Sequence, residues 1–392
     1  MPPTGSPFEV LRVFLKLGLT SFGGPIAHIG YFREELVVRR RWVDDAAYTD
    51  LVALCQFLPG PASSQVGFSL GLIRAGYWGG LAAWTGFTLP SAILLTAFAH
   101  GAGALGGPIG VGVIHGLKLV AVAIVAQAVW GMARMLCPDR QRASIACVAA
   151  LLILISTSFA AQMGAIVMGG IAGFWVCRNS APTVTTSLGA PVSRRVGAIA
   201  LLIFFALLVA LPALGISQSV QLFDAFYRSG ALVFGGGHVV LPLLSTAFEA
   251  TGWVSQDAFL AGYGAAQAVP GPLFTFAAYL GAMAIASPHR IAGAALGLIG
   301  IFLPGVLVLL GTLPFWDLFR RRVGAQAIMR GVNAAVVGLL GAALYDPLWI
   351  SSIKSSGDFA LALVGFVLLT VWRVPPLLVV VLGALGGLAL SY

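Results

Sequence analysis

The chain has 392 residues, 59% of them hydrophobic and only 9% charged, with a formal net charge of +9. A soluble domain carries roughly a quarter charged residues, so this composition excludes a protein that folds in water. The positive excess sits in short loops between apolar runs, where it sets membrane orientation, so it is not a nucleic-acid signature.

In chain order, the first apolar stretch carries Glu9, Arg12 and Lys16 and lacks a cleavage site, so it is not a removable signal peptide. It is interrupted at Phe22-Gly23-Gly24-Pro25, with His28 just beyond. A basic loop with Arg33, Arg39, Arg40 and Arg41 follows. Asp44, Asp45 and Asp50 flank the next segment, where aspartates are expected to cap a helix start. That segment is broken at Pro59-Gly60-Pro61. The runs 81–99, 109–135, 196–213, 291–313 and 323–344 are close to the roughly 20 apolar residues that a crossing helix needs. The polar stretch 178–195 reads as a loop. Cys55, Cys137, Cys147 and Cys177 have no metal-ligand spacing and are expected to be small apolar filler.

The second half repeats the first. Phe22-Gly23-Gly24 recurs at Phe234-Gly235-Gly236, and Gly237 and His238 follow directly. Trp42 matches Trp253, Gln56 matches Gln267, and Pro59-Gly60-Pro61 matches Pro270-Gly271-Pro272, each 211 positions on. Leu89-Pro90 matches Leu303-Pro304, and His115 and Lys118 align with Arg330 and Asn333. Such self-similarity marks two copies of one unit, expected at 8–177 and 222–390. The linker 178–221 holds one extra crossing. Arg39 to Arg41 lie in a loop whose counterpart in copy two has no Lys or Arg, and the reverse holds for Arg320 to Arg322. Basic loops prefer the cytoplasm, so the copies are expected to be inverted in the membrane. Keeping Arg74, Arg134, Arg140, Arg142, Arg178, Arg194 and Arg195 on the same side favours re-entrant or broken hairpins at the glycine and proline breaks. The expected fold is an all-α polytopic membrane protein, an inverted repeat with broken or re-entrant helices and about 10–13 membrane segments.

A broken helix at membrane depth needs protein or a wet cavity to satisfy its backbone. The half-helix after each break points free N–H groups and a positive dipole end inward, which suits an anion. The candidate binding set is therefore Gly23, Gly24, Pro25, His28, Gln56, Pro59, Gly60, Pro61 and Ser63, with Gly235, Gly236, Gly237, His238, Gln267, Pro270, Gly271 and Pro272. Ser64 and Thr275 can add hydroxyls. Lys118 lies deep in an apolar run, where it either neutralises an anion or snorkels to an interface; its counterpart is Asn333. His28 and His238 either serve an oxyanion or a proton, or stabilise helix kinks. Asp50 is the carboxylate candidate for proton coupling, and Asp257 is expected to cap its helix. Single glycines can serve packing alone. No zinc-protease or nucleotide phosphate-binding motif is present, so no enzyme activity, cofactor or metal is expected, and transport would run on a gradient.

At these residues the sequence resembles the chromate ion transporters, in their long, two-domain bacterial form. The matching motifs are Ser-Phe-Gly-Gly-Pro-x-x-His from Ser21, Arg-Arg-Arg-Trp-Val from Arg39 and Cys-Gln-x-Leu-Pro-Gly-Pro from Cys55. In copy two they are Phe-Gly-Gly-Gly-His-Val-Val from Phe234 and Ala-Gln-Ala-Val-Pro-Gly-Pro from Ala266. The resemblance implies chromate efflux across a bacterial inner membrane, chromate resistance and an antiparallel duplicated architecture. Sulfate, a tetrahedral dianion of similar size, is the alternative substrate, for transport or exchange. A membrane-embedded chromate reductase is the alternative of another class, and no cofactor or metal motif supports it. The expected partners are the anion, the lipid bilayer and a second copy as a homodimer, with no nucleic acid.

Overall fold

The computed structural model describes residues 5–102, 107–156, 158–178, 192–215, 217–234, 237–284, 290–316 and 322–390. Gly235, Gly236, Arg320, Arg321 and most of the polar linker lie outside the described residues. Among the described residues every regular element is a helix. Copy one comprises α1 (Pro7–Thr20), α2 (Gly24–Phe32, continued by a wide turn Arg33–Arg39), α3 (Asp45–Phe57), α4 (Ala62–Ala102), α5 (Gly107–Leu136), α6 (Arg140–Ile155) and α7 (Phe159–Val176). The single helix α8 (Arg194–Ala213) follows. Copy two comprises α9 (Gln218–Ala231), α10 (Val240–Thr251), α11 (Gln256–Ala268), α12 (Phe276–Met283), α13 (Arg290–Thr312), α14 (Val323–Ala343), α15 (Ser356–Thr370) and α16 (Pro376–Leu390).

Short polar residues start these helices by accepting first-turn N–H groups. Ser6, Asp44, Asp139, Ser158, Ser193, Ser217, Ser255 and Ser355 all do so. Asp44 thus has the expected role. In α11 the cap is Ser255, which frees Asp257 for another contact described below. Among the described residues, five helices are long and apolar enough to cross a membrane, within Ala62–Gly101, Ile109–Leu136, Arg194–Ala213, Arg290–Phe315 and Val323–Ser352. They contain the five apolar runs of the sequence. The protein is a multi-pass membrane protein.

In copy one the segment before the first span returns to where it began. The Gly5 N–H donates to the Arg74 carbonyl at 3.1 Å, Arg74 pairs with Glu9 at 3.2 Å, and its guanidinium lies 5.4 Å from the Trp42 ring. Residues 5, 42 and 74 therefore share one end. The breaks at Gly23 and Gly60 lie at the far tips of two hairpins, about 20 Å of helix away for α1. At Gly76 (φ 67°) α4 turns back into its long crossing half.

The two copies make the same contacts. Gly18 of α1 lies against the carbonyls of Gly86 and Phe87 in α4; Gly230 of α9 lies against that of Ile301 in α13. Across copies, Gly116 of α5 lies against Gly383 and Gly387 of α16, while Gly331 of α14 lies against Gly169 and Gly173 of α7. A side chain at Gly116 or Gly331 would run into backbone, which is why small residues occupy both crossings. The hairpin α6–α7 thus packs on copy two and α15–α16 on copy one. Reciprocal contacts of this kind define a two-fold relation. Between the copies, α8 begins beside Leu310, Gly311 and Pro314 (at Gly197) and ends beside α9. It carries the chain from one end of the molecule to the other.

Candidate functional site

The two-fold relation brings the breaks together. Gly60 N–H donates to Val233 O at 2.7 Å, and Gly271 N–H donates to Ser21 O at 2.9 Å. Val233 is the copy-two counterpart of Ser21, so each Pro-Gly-Pro tip holds the first break of the other copy. The first breaks also touch each other: a Cβ at Gly237 would lie 3.1 Å from Pro25 Cγ, and one at Gly24 would lie 4.0 Å from His238 Nε2. Four interruptions far apart in sequence occupy one centre.

Glycine is required here for two reasons. Gly23, Gly24, Gly60 and Gly271 have φ of 99°, 78°, 116° and 98°, a region that side-chain-bearing residues avoid. A Cβ at Gly60 would also sit 2.9 Å from Gly305 Cα, and one at Gly271 would sit 2.8 Å from Ser91 Oγ. The Gly60 and Gly271 amides are committed to carbonyls of the opposite copy, so these residues contribute close approach of backbones. Among the N–H groups here that face no carbonyl of their own helix are those of the first turn of α4, at Ala62, Ser63 and Ser64.

Around that turn lies a polar cluster. His28 is fully buried, with Nδ1 3.4 Å from Ser63 Oγ and its ring edge-on to Phe87 at 5.1 Å. Its Nε2 makes no hydrogen bond of good geometry, and the Ser21 backbone is its polar neighbour. Gln65, 1% exposed, donates from Nε2 to Pro59 O and to Gly305 O, both at 2.9 Å. It ties the copy-one tip to copy two. Gln65 Oε1, Ser21 Oγ, Ser64 Oγ and Thr88 Oγ1 are buried without a hydrogen-bond partner. Buried unpaired polar groups cost about 1–3 kcal/mol each, so such a cluster marks a place for water or ligand.

The remaining sequence candidates distribute unevenly. Gln56 and Gly23 are exposed, whereas Gln267 is half-buried with Nε2 unpartnered, and Pro61, Pro270, Gly271 and Pro272 are buried. Pro59 gives its carbonyl to Gln65. His238 Nδ1 lies 2.9 Å from Tyr263 Oη. The Thr275 hydroxyl donates to Pro272 O at 2.7 Å, closing its own turn. Asp50, 5% exposed, accepts from Trp316 Nε1 at 3.3 Å, and the Trp316 ring packs on Phe57 at 5.6 Å. Lys118 Nζ pairs with Asp257 Oδ1 at 2.6 Å. Asn333 Oδ1 is buried and unpartnered. Among the described residues, no cluster of His, Cys, Asp and Glu is placed to hold a metal. Sequence reading passed over Gln65; its signal is an amide in the first turns of the otherwise apolar α4, where a polar residue is costly.

A family model described as chromate transporter matches residues 8–174 and again residues 220–388. The chain belongs to the chromate transporter family. It is 30% identical over 354 residues to a chromate transport protein of Pseudomonas aeruginosa, covering 88% of this chain and 82% of that one. It is 26% identical over 401 residues to a probable chromate transport protein of Synechococcus elongatus, covering 98% and 96%. An uncharacterized transporter of Bacillus subtilis matches over 183 residues at 27% identity, which is 44% of this chain and 98% of that protein. No solved structure matches. The family is one of transporters, and membership implies an anion substrate handled within the bilayer.

Proposed function

We propose that this protein exports chromate from the bacterial cytoplasm across the inner membrane and so confers chromate resistance. The supporting observation is the reciprocal pair Gly60–Val233 and Gly271–Ser21, which holds all four breaks at one centre beside unpartnered polar groups. A tetrahedral dianion suits the first-turn N–H groups of α4, whose helix end is positive. Ser63, Ser64 and His28 add side-chain donors beside it. His238 of copy two approaches Gly24 of copy one on the other side of the centre, and Gln56 with Gly23 lines the approach. Asp50 is proposed for proton coupling. The repeats span 8–177 and 222–390, joined by 178–221, and lie inverted in the bilayer. Arg33 to Arg41 face the cytoplasm by the positive-inside rule.

Sulfate is the second reading, because N–H and O–H donors recognise shape and charge that both dianions share. The test is chromate flux in proteoliposomes, with and without a pH gradient, in the presence and absence of excess sulfate. Absence of chromate flux under every gradient sinks the proposal. Flux carried by sulfate in preference to chromate replaces the substrate.

A further inference from the structure

The two tip hairpins are equivalent in sequence but not in their surroundings. In copy two, α11 packs on α5 of copy one: a Cβ at buried Gly264 would lie 2.5 Å from Leu117 O. The next residue of α5 is Lys118, and its Nζ reaches Oδ1 of Asp257, about two turns before Gly264 in α11, at 2.6 Å. The Lys118 side chain is 11% exposed and that of Asp257 70%, so the pair sits where the seam between the copies meets its surroundings. In copy one the corresponding partners are α3 and α14, and α3 does not pack on α14 in this way. Ala53, the counterpart of Gly264, is exposed, as are Gln56 and Gly23. The ion pair has no counterpart either, because Asn333 stands for Lys118 and Ala46 for Asp257.

We propose that the Lys118–Asp257 pair is a latch that holds the α11 hairpin closed against α5 while the α3 hairpin stands away from α14. Lys118 then acts on transport by gating and not as an anion ligand. This rests on the transport reading above. An inverted repeat alternates by exchanging the conformations of its two halves, and here only one half carries a charged clamp. The resting protein is therefore biased toward opening on the α3 side, the side of Arg33 to Arg41. Access to Gly23 and Gln56 runs along α3, and the Asn333 amide is the polar group that α3 meets when that side closes.

The test needs no substrate. Ala53→Cys is introduced in the full chain with Cys55, Cys137, Cys147 and Cys177 replaced by alanine, and a membrane-impermeant maleimide is applied to the cytoplasmic face of membrane vesicles. The latch-intact protein labels readily. Asp257→Asn and Lys118→Gln each lower the labelling rate about threefold or more, the scale of a partly exposed ion pair. The reversed pair, Lys118→Asp with Asp257→Lys, restores it. Monodisperse elution in detergent confirms that each variant is folded. Unchanged labelling in both single variants overturns the latch, and so does a loss that the reversed pair fails to restore. Because labelling is read without chromate, a failed flux assay leaves this result independent.

Discussion

The tips of the two copies have diverged in chemistry while keeping one backbone plan. Copy one lines its tip with Ser63, Gln65 and Thr88; the aligned positions in copy two are Phe274, Phe276 and Phe302. The copy-two residues form an aromatic wall, with Phe274 on Phe302 at 5.8 Å, Phe302 on Trp84 at 5.7 Å and Phe276 on Tyr263 at 5.7 Å. The copy-one tip is thus polar where the copy-two tip is aromatic. A buried polar group is tolerated where something will bind it, and aromatic packing holds the opposite face rigid.

The strongest way to break this comparison is to fill the crossing itself. Gly60→Leu and Gly271→Leu each place a side chain where two backbones meet, at positive φ; strain alone costs about 1–3 kcal/mol. Chromate flux in proteoliposomes falls to background for both. The alanine versions separate them: Gly60→Ala meets fixed backbone at Gly305 at 2.9 Å, whereas the nearest neighbour of Gly271→Ala is a movable serine hydroxyl and backbone follows only at 3.1 Å, at Phe87 O. Gly60→Ala therefore lowers the melting temperature more, and equal shifts would show that the tips are supported alike.

Next in size is Gln65→Leu, which removes hydrogen bonds to the buried Gly305 carbonyl and the part-buried Pro59 carbonyl and destabilises the protein by about 1–3 kcal/mol for the buried orphan. The change is read as a drop in thermal stability in detergent. His28→Phe keeps the ring volume but removes its polar edge. Chromate binding, measured by ligand-dependent thermal shift, weakens about tenfold, the scale of one hydrogen bond to a charged group. Ser64→Ala weakens it about threefold. Phe274→Ala destabilises by about 3 kcal/mol with little change in the chromate affinity of the folded fraction. Equal binding losses from Ser64→Ala and Phe274→Ala would erase the division between cradle and support. The smallest binding effect belongs to Lys118→Met, which changes flux through the gate and leaves affinity within about twofold; a tenfold affinity loss would return Lys118 to the anion site.

Much of this was legible in the chain itself. The duplicated Phe-Gly-Gly and Pro-Gly-Pro breaks, the five long apolar runs and the capping role of Asp44 follow from local rules: hydrophobic length, proline's missing donor and the hydrogen-bonding reach of a short side chain. The polar-to-aromatic exchange at positions 63, 65 and 88 was also present in the aligned copies. Local rules did not extend to partners. Lys118 reads as a lone cation because Asp257 is distant in sequence, and Asp257 reads as a cap because a helix start is near.

The sequence by itself determined that this protein is a membrane-embedded duplication with paired interruptions, because hydropathy, repetition and backbone chemistry are written residue by residue. Only the tertiary structure decided that the interruptions interlock, that Gly60 and Gly271 spend their N–H groups on the opposite copy, and that Gln65 bridges the halves. Those outcomes depend on which backbones the two-fold relation brings within hydrogen-bond reach, and that distance is a property of the packed chain.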